Sequence, residues 1–382
     1  MIRFWLAEYK AIANNQGAFI LLVGAVVLYS FFYPVPYYEE VLREVPVAVV
    51  DNDFSELSRK FIRMLDANEN IRVMSHPADM ESARREFLQR KVFGIVVIPL
   101  DFERDIRRGR QTKVAAYHDT STLLFATPLR TGTTFVARTL GAGIQIRRLQ
   151  AAGAGFDKAK NTADPLSFVG IPLYNPSGSY GIYAIPAVFI LIIQQTLLLG
   201  VGMVGGTRRE RMAGIPIRRA HRLEVVEMVV GRTGAYLTIA VITTLYSLAI
   251  LRLYYQFPLR CEPWQLAVLL APYILSSVLL GITFSAFFHN RETSVLVLMF
   301  TSLPLVFLVG FAWPPEAIPP WLRILSFAIP STSGVTGFLK ISQLGAPLSV
   351  VQFEYTMLWA LVAVYFLTAC AATSRVPVPV KS

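Results

Sequence analysis

The sequence predicts a polytopic α-helical membrane protein with six transmembrane helices and an extracytoplasmic α/β domain inserted between the first and the second. Three observations predict it. Hydrophobic residues make up 54% of the 382 residues and charged residues only 16%, against roughly 25% charge in ordinary soluble domains. Six apolar stretches approach the length of about 20 residues that a helix needs to cross a bilayer core, and five of them crowd the second half of the chain. Between the first and second stretches, residues 34–179 carry 20 Lys and Arg against 17 Asp and Glu, the composition of a folded domain in water. A disordered chain, a collagen-like chain and a wholly soluble enzyme are excluded.

The first stretch, Gly17 to Tyr33, is short, and the helix is expected to extend back through Ala11 and Ile12. It reads as an uncleaved anchor rather than a signal peptide, because Glu8 lies in its long amino-terminal region and Tyr33-Pro34-Val35-Pro36 stands where a small-residue cleavage site belongs. In residues 34–179, Val45–Val50 and Val92–Ile98 are buried-strand runs, Ile71–Met74 and Lys113–Tyr117 are shorter strands, and helices are expected over Asp53–Asp66, Met80–Lys91 and Phe102–Arg108. Strands alternating with helices of this length imply an α/β domain with a largely parallel or mixed sheet. Leu123–Leu149 reads as one long helix and Gly153–Pro176 as a linker. The remaining spans fall at about Tyr180–Val204, Thr233–Tyr255, Trp264–Phe288, Thr293–Ala312 and Tyr355–Thr373. The chain thus divides into residues 1–33 (an interfacial helix and the first span), 34–179 (the extracytoplasmic domain and linker) and 180–382. The last is a five-helix domain with a cytoplasmic loop at 205–229 and a re-entrant segment at 313–343.

Lys and Arg in short loops set orientation. Arg3, Lys10, seven arginines from Arg208 to Arg232, Arg291, Arg375 and Lys381 fall on one side, against Arg252, Arg260, Arg323 and Lys340 on the other. Both termini are therefore expected in the cytoplasm. The net charge of +11 is a topology signal, and no nucleic-acid partner is expected.

Chemistry-bearing patterns are sparse. Cys261 and Cys370 match no metal or disulfide framework, and none of the four histidines has a partner at ligand spacing. Asp51 and Asp53, after a strand, fit a turn and a helix cap better than a metal or acid pair; His76 and His118 stand alone at strand ends. No nucleophile elbow, zinc-protease motif or dinucleotide fingerprint occurs. No catalytic, cofactor or metal residue is therefore assigned, and the chain is not read as an enzyme. The later spans lack the intramembrane carboxylates and lysines that mark ion-coupled pumps. Their exception is Gln194-Gln195 in the middle of the second span: two amides that either bond a neighbouring helix or line a translocation path. Arg208–Arg222 carries Arg209, Glu210, Arg211 and Gly214, with Glu224 beyond. Topology accounts for its arginines, while the mixed charges also suit docking on a partner. Toward the carboxyl end, Pro304 is expected to kink the fifth helix. Trp313-Pro314-Pro315-Glu316-Ala317-Ile318-Pro319-Pro320-Trp321 cannot continue it, and Leu322–Lys340, broken at Pro330, suits a re-entrant or interfacial helix.

These residues carry a resemblance to the membrane subunits of ABC-2 type transporters, particularly bacterial drug-exporter-like permeases with a large external loop. Val47–Asp53 with Ser55–Arg59, Gly94–Pro99 with Phe102, and Tyr174-Asn175-Pro176 resemble three of the family's blocks. Pro304, Gly310, Trp313-Pro314, Ile318-Pro319 and Pro330 resemble the most specific one. The cytoplasmic loop departs from the family: Arg209-Glu210-Arg211-Met212-Ala213-Gly214-Ile215 lacks the second Glu and the Thr of the usual pattern. The chain has no phosphate loop, so the resemblance implies ATP and Mg on a separate ABC ATPase beneath Arg208–Arg222. It also implies a second permease chain, identical or a close paralogue, in the bacterial inner membrane, and an exporter of hydrophobic or amphiphilic compounds that a periplasmic membrane-fusion adaptor can extend. The assignments that follow are coupling at Arg208, Arg209, Glu210, Arg211, Gly214 and Glu224, a path at Gln194, Gln195 and Pro304, and an outer gate at Gly310, Trp313, Pro314, Leu325 and Pro330. A non-transporting membrane anchor with a sensing or scaffolding domain is the competing reading; five closely packed spans are more than it needs.

Overall fold

The structure is a computed structural model that describes residues 1–37, 42–121, 123–166, 170–176, 178–212, 217–218, 220–376 and 378–379. The amino-terminal segment does not make the single extended helix expected of it. α1 (Ile2–Ala13) stops at Asn14, and the Asn15 side chain accepts the backbone N–H of Ala18 at 3.1 Å to start α2 (Gln16–Phe19). A side-chain oxygen that satisfies one orphan N–H begins a new helix. A π turn at Ile20–Gly24 leads into α3 (Ala25–Phe32), and the membrane-length segment is Gln16–Tyr37.

Val41–Ile171 form one compact unit. Its elements are β1 (Val45–Asp51), α4 (Glu56–Asp66), β2 (Ile71–Ser75), α5 (Met80–Leu88), β3 (Gly94–Ile98), α6 (Phe102–Arg107), β4 (Ala115–His118), α7 (Leu123–Ala151) and α8 (Phe156–Ala163). The sheet order is β2-β1-β3-β4, parallel except for β4. β1 and β3 are apolar almost throughout because helices cover both faces. Val45, Val47 and Val49 pack with Phe61 and Leu65 of α4 and with Leu129, Val136 and Leu140 of α7, while Ala48 and Val50 turn to the other face with Ala83 of α5. Two local expectations are corrected. Asp51 does make the turn after β1, accepting the N–H groups of Asp53 and Phe54 at 3.0 and 3.1 Å and the Ser58 hydroxyl at 2.7 Å. However, Ser55 caps α4, and Asp53 accepts the N–H of Glu103 in the first turn of α6. The stretch read as a linker holds α8, whose Ala159 is fully buried and which packs on α7.

Met1–Glu40 and Pro172–Ser382 form the second unit. After α9 (Tyr180–Met212) and the short β5 (Ile217–Arg218) come α10 (Arg222–Leu253), α11 (Pro263–Ser285), α12 (Arg291–Leu308), α13 (Pro320–Ser326), α14 (Pro330–Ser342), α15 (Gln352–Ser374) and β6 (Val378–Pro379). Among the described residues six helices are long and apolar enough to cross a membrane: Gln16–Tyr37, Gly181–Met212, Arg222–Leu253, Pro263–Ser285, Arg291–Leu308 and Leu348–Ser374. α13 and α14 add a broken pair bent by 87°. α9 and α11 are central, with 72% and 78% of their apolar windows buried inside the chain, whereas α12 buries only 17%. Small residues let the central helices approach their neighbours. A Cβ added at Gly206 of α9 would lie 2.6 Å from the Asn290 carbonyl, and one at Gly334 of α14 would lie 2.3 Å from the Tyr273 ring.

Candidate functional site

At the end of the helical unit that carries α1, charge is buried. Glu8 of α1 is 4% exposed. Its Oε2 accepts from Arg208 of α9 at 2.5 Å and lies 3.7 Å from Nε of Arg232 on α10; its Oε1 accepts from the Tyr236 hydroxyl at 2.7 Å. Burial pushes the Glu8 carboxyl toward protonation. The two guanidiniums, helped by the hydrogen bonds from Arg208 and Tyr236, outweigh that and hold its pKa below the usual carboxylate range. α1 reaches α10 closely because Gly231 has no side chain: a Cβ there would fall 2.8 Å from Cβ of Phe4 and 2.9 Å from the Met1 carbonyl.

Of the other sequence-assigned coupling residues, Arg209, Glu210 and Arg211 lie on the last turn of α9, which runs on to Met212 where a loop was expected, and Glu224 lies in the first turn of α10. Arg209 donates to the carbonyl of Ala286 at the end of α11 at 3.0 Å, and Glu210 accepts the N–H of Arg291 at the start of α12 at 2.8 Å. A cation at a helix carboxyl end and an acid at an amino end both complement the helix dipole. The end of α9 therefore grips α1, α11 and α12 with three consecutive residues. Arg211 is exposed. Arg218 and Glu224 form a two-pronged ion pair at 2.7 and 2.8 Å. Gly214 lies outside the described residues.

Of the two amides at the middle of α9, Gln194 meets α14. Gln194 is fully buried and donates to the Ser331 hydroxyl at 3.2 Å. Among the described residues, its Oε1, both polar atoms of Gln195 and the buried Ser333 hydroxyl have no partner. Nearby, the Tyr273 hydroxyl donates to the Ile190 carbonyl at 2.5 Å, and Ser276 and Ser277 of α11 are buried. The arrangement is a polar seam between α9, α11 and the start of α14, where a buried amide left unpaired costs about 1–3 kcal/mol. Pro304, grouped with the amides in sequence, is exposed on α12 and does not join them.

At the far end, Gly310 follows α12 with φ of +91° and ends that helix in the left-handed conformation that glycine tolerates. Tyr183 of α9 donates to the Phe311 carbonyl, and Gln343, after α14, donates to the Ile182 carbonyl. The bend between α13 and α14 is pinned by the Thr332 hydroxyl on the Ser326 carbonyl at 2.7 Å and by Tyr365 of α15 on the Ala328 carbonyl. Pro330 is buried at the start of α14. Trp313, Pro314 and Leu325 face outward, with Leu325 58% exposed. Within one chain the packed element is therefore α14, and α13 presents its apolar stripe to its surroundings. Lys340 of α14 donates to Glu354 of α15 at 2.5 Å, with Glu354 only 6% exposed.

Sequence reasoning missed Glu8, Arg232, Tyr236, Ser331, Lys340 and Glu354 as partners. Glu8 carried a signal, being the one acid in the first 15 residues, but its partners lie about 200 residues away. Among the described residues no group of three or more His, Cys, Asp or Glu could hold a metal.

A bundle of six membrane-length helices, a bent helix pair beside a polar seam and a separate α/β unit define a multi-pass membrane protein of transporter type. The sequence matches the family described as ABC-2 family transporter protein over residues 17–371, and the chain belongs to that family of transporter membrane components. Among curated proteins none matches it.

Proposed function

We propose that the chain is the permease subunit of an ATP-driven exporter that moves a hydrophobic or amphiphilic compound out of the cytoplasm or inner membrane of a bacterium. The observation that carries this reading is the seam of buried polar atoms without partners among the described residues, Oε1 of Gln194, both amide atoms of Gln195 and the Ser333 hydroxyl, at the middle of α9 and the buried start of α14. A structural anchor gains nothing from such groups, whereas a path needs changeable polar contacts there. ATP and Mg reside on a separate ABC ATPase that docks at the arginine-rich end, which the excess of Lys and Arg marks as cytoplasmic together with both termini. Arg211 and the Arg218–Glu224 pair are its contacts. The grip of Arg208, Arg209 and Glu210 on α1, α11 and α12 passes the motion into the bundle. The exposed apolar face of α12, with Phe300 80% and Leu303 66% exposed, takes the second permease chain, the same protein or a close paralogue. The α/β unit then lies outside the membrane, where a membrane-fusion adaptor can meet it. α13 and α14, with Gly310, Trp313, Pro314, Leu325 and Pro330, close the outer end of the path, Leu325 against the second chain.

The test is reconstitution of the chain with its ATPase in proteoliposomes and measurement of ATP hydrolysis and efflux with a panel of amphiphilic fluorescent dyes. The wild-type complex is expected to show dye-stimulated hydrolysis and efflux. A Gln194→Leu, Gln195→Leu double variant is expected to assemble but lose both. Full efflux in that variant would remove the seam from the path.

A further inference from the structure

The α/β unit holds a cavity of about 290 Å³ between α4, α6, the segment before β4, and α7. Its floor is Phe61 and Phe102, both core residues at 2% and 3% exposure, with Leu140 and Ile144 along one wall. Its rim carries Arg110 and Arg148, both exposed. Among the described residues neither arginine makes an ion pair, and no carboxylate lines the cavity. Three other arginines of the unit are matched, Arg90 with Asp119, Arg104 with Asp101 and Arg107 with Glu103, so what distinguishes Arg110 and Arg148 is that both stand on the rim of one apolar cavity. A concave apolar floor with a few convergent polar groups is the form of a small-molecule site, and this volume sits at the small end of the usual range.

We propose that this cavity binds a small amphiphilic anion, with its apolar body on Phe61, Phe102, Leu140 and Ile144 and its carboxylate or phosphate between Arg110 and Arg148. The charge argues for the anion and the depth for a small molecule: the floor reaches the hydrophobic core of the unit, where a flat protein surface could not follow. α7 leaves the space open. Gly141 lines the cavity, and a Cβ built on it meets nothing within 4 Å; the same is true of Gly143, which does not line it. Binding here is a property of the α/β unit and stands whether or not the helical unit exports anything.

The experiment uses the full chain in lipid nanodiscs and follows hydrogen exchange of residues 102–114 and 137–148. Four probes share one chain length: octanoate, octyl phosphate, octanol and octylammonium. Octanoate or octyl phosphate is expected to protect both segments saturably, and whichever does so at lower concentration identifies the preferred head group. Octanol should require at least about tenfold more, since it lacks the charge-assisted bonds, and octylammonium should not protect. Gly141→Phe is expected to abolish protection while Gly143→Phe, with the same helix change two residues away, leaves it intact. Arg148→Glu should weaken the anions about tenfold or more without weakening octanol. Exchange of β1 and β3 without probe reports whether each variant is folded; if Gly141→Phe is not, Arg148→Glu decides. Equal protection by octanol and octanoate, equal loss in both glycine variants, or no saturable protection by any probe would overturn the proposal.

Discussion

Glu8→Gln is expected to destabilise the helical unit more than any other single charge removal at that end. The side chain is 5% exposed, and its two arginines are 21% and 14% exposed at 2.5 and 3.7 Å. Glutamine keeps an acceptor for Tyr236 but leaves two guanidiniums in a buried site without a counter-charge. Removing one partner of such a pair costs about 3–5 kcal/mol. For a unit of this size that is a drop in midpoint on the order of 10 °C. Glu227→Gln on α10 is the internal control: it faces the amino terminus at 3.9 Å, both groups are more than half exposed, and such pairs contribute about 0–1 kcal/mol. The assay is thermal unfolding of the purified protein in one detergent. Replacing Glu8 and Arg208 together by methionine should recover part of the loss, because the uncompensated charge is removed with its partner. The pH dependence has a definite sign. The folded carboxyl titrates below its ordinary value, so its contribution is complete above the unfolded value of about 4.3 and fades as pH falls through the lower folded value. The gap between wild type and Glu8→Gln should therefore stay constant from neutral pH to about pH 5 and close only in stronger acid. A Glu8→Gln protein within about 0.5 kcal/mol of Glu227→Gln would refute the reasoning, since it would mean that the site is hydrated.

Gln195→Leu should raise thermal stability by about 1–3 kcal/mol, because both of its polar atoms lack partners, while lowering dye efflux; a neutral effect on both would return Gln195 to a passive role. Glu210→Lys should remove the acceptor at the start of α12, costing about 1 kcal/mol, and uncouple dye efflux from hydrolysis, whereas Glu210→Gln should retain the cap and much of the coupling. Wild-type stimulation in the lysine variant would confine Glu210 to local structure. With Cys261 and Cys370 replaced, a cysteine at Arg110 should react with a membrane-impermeant thiol reagent in cells stripped of their outer barrier. Labelling only after the inner membrane is opened would reverse the orientation.

The membrane spans were legible because each declares itself locally: about 20 apolar residues have few other destinations, and the six structural helices overlap the six stretches read from sequence. The order of strands and helices in the α/β unit was legible for the same kind of reason, through Val-rich runs alternating with amphipathic ones. Boundaries shifted where one side chain decides them, as Asn15 does between α1 and α2. The two amides of α9 were visible as an exception in an apolar run, but not Ser331, the partner of Gln194, which is 137 residues away along the chain. The grip of three successive α9 residues on three different elements was hidden as well, because a run of arginines looks the same whether it faces solvent or neighbours. Leu325 is the converse case. Assigned to an outer gate in a segment that reads as either re-entrant or interfacial, it is left exposed on α13 while α14 takes the buried position, because the Tyr365 and Thr332 hydrogen bonds fix the bend and turn one helix inward. The sequence by itself thus determined the number of membrane-length segments and, apart from α8, the elements of the α/β unit, which follow from local hydrophobicity and periodicity, while its motifs carried the resemblance to the family. Only the tertiary structure decided that Glu8 lies between Arg208 and Arg232, that Gln194 meets Ser331 of α14, and that two arginines share the rim of the α/β cavity. Each of these depends on which side chains far apart in sequence come together in space, and no local pattern encodes that.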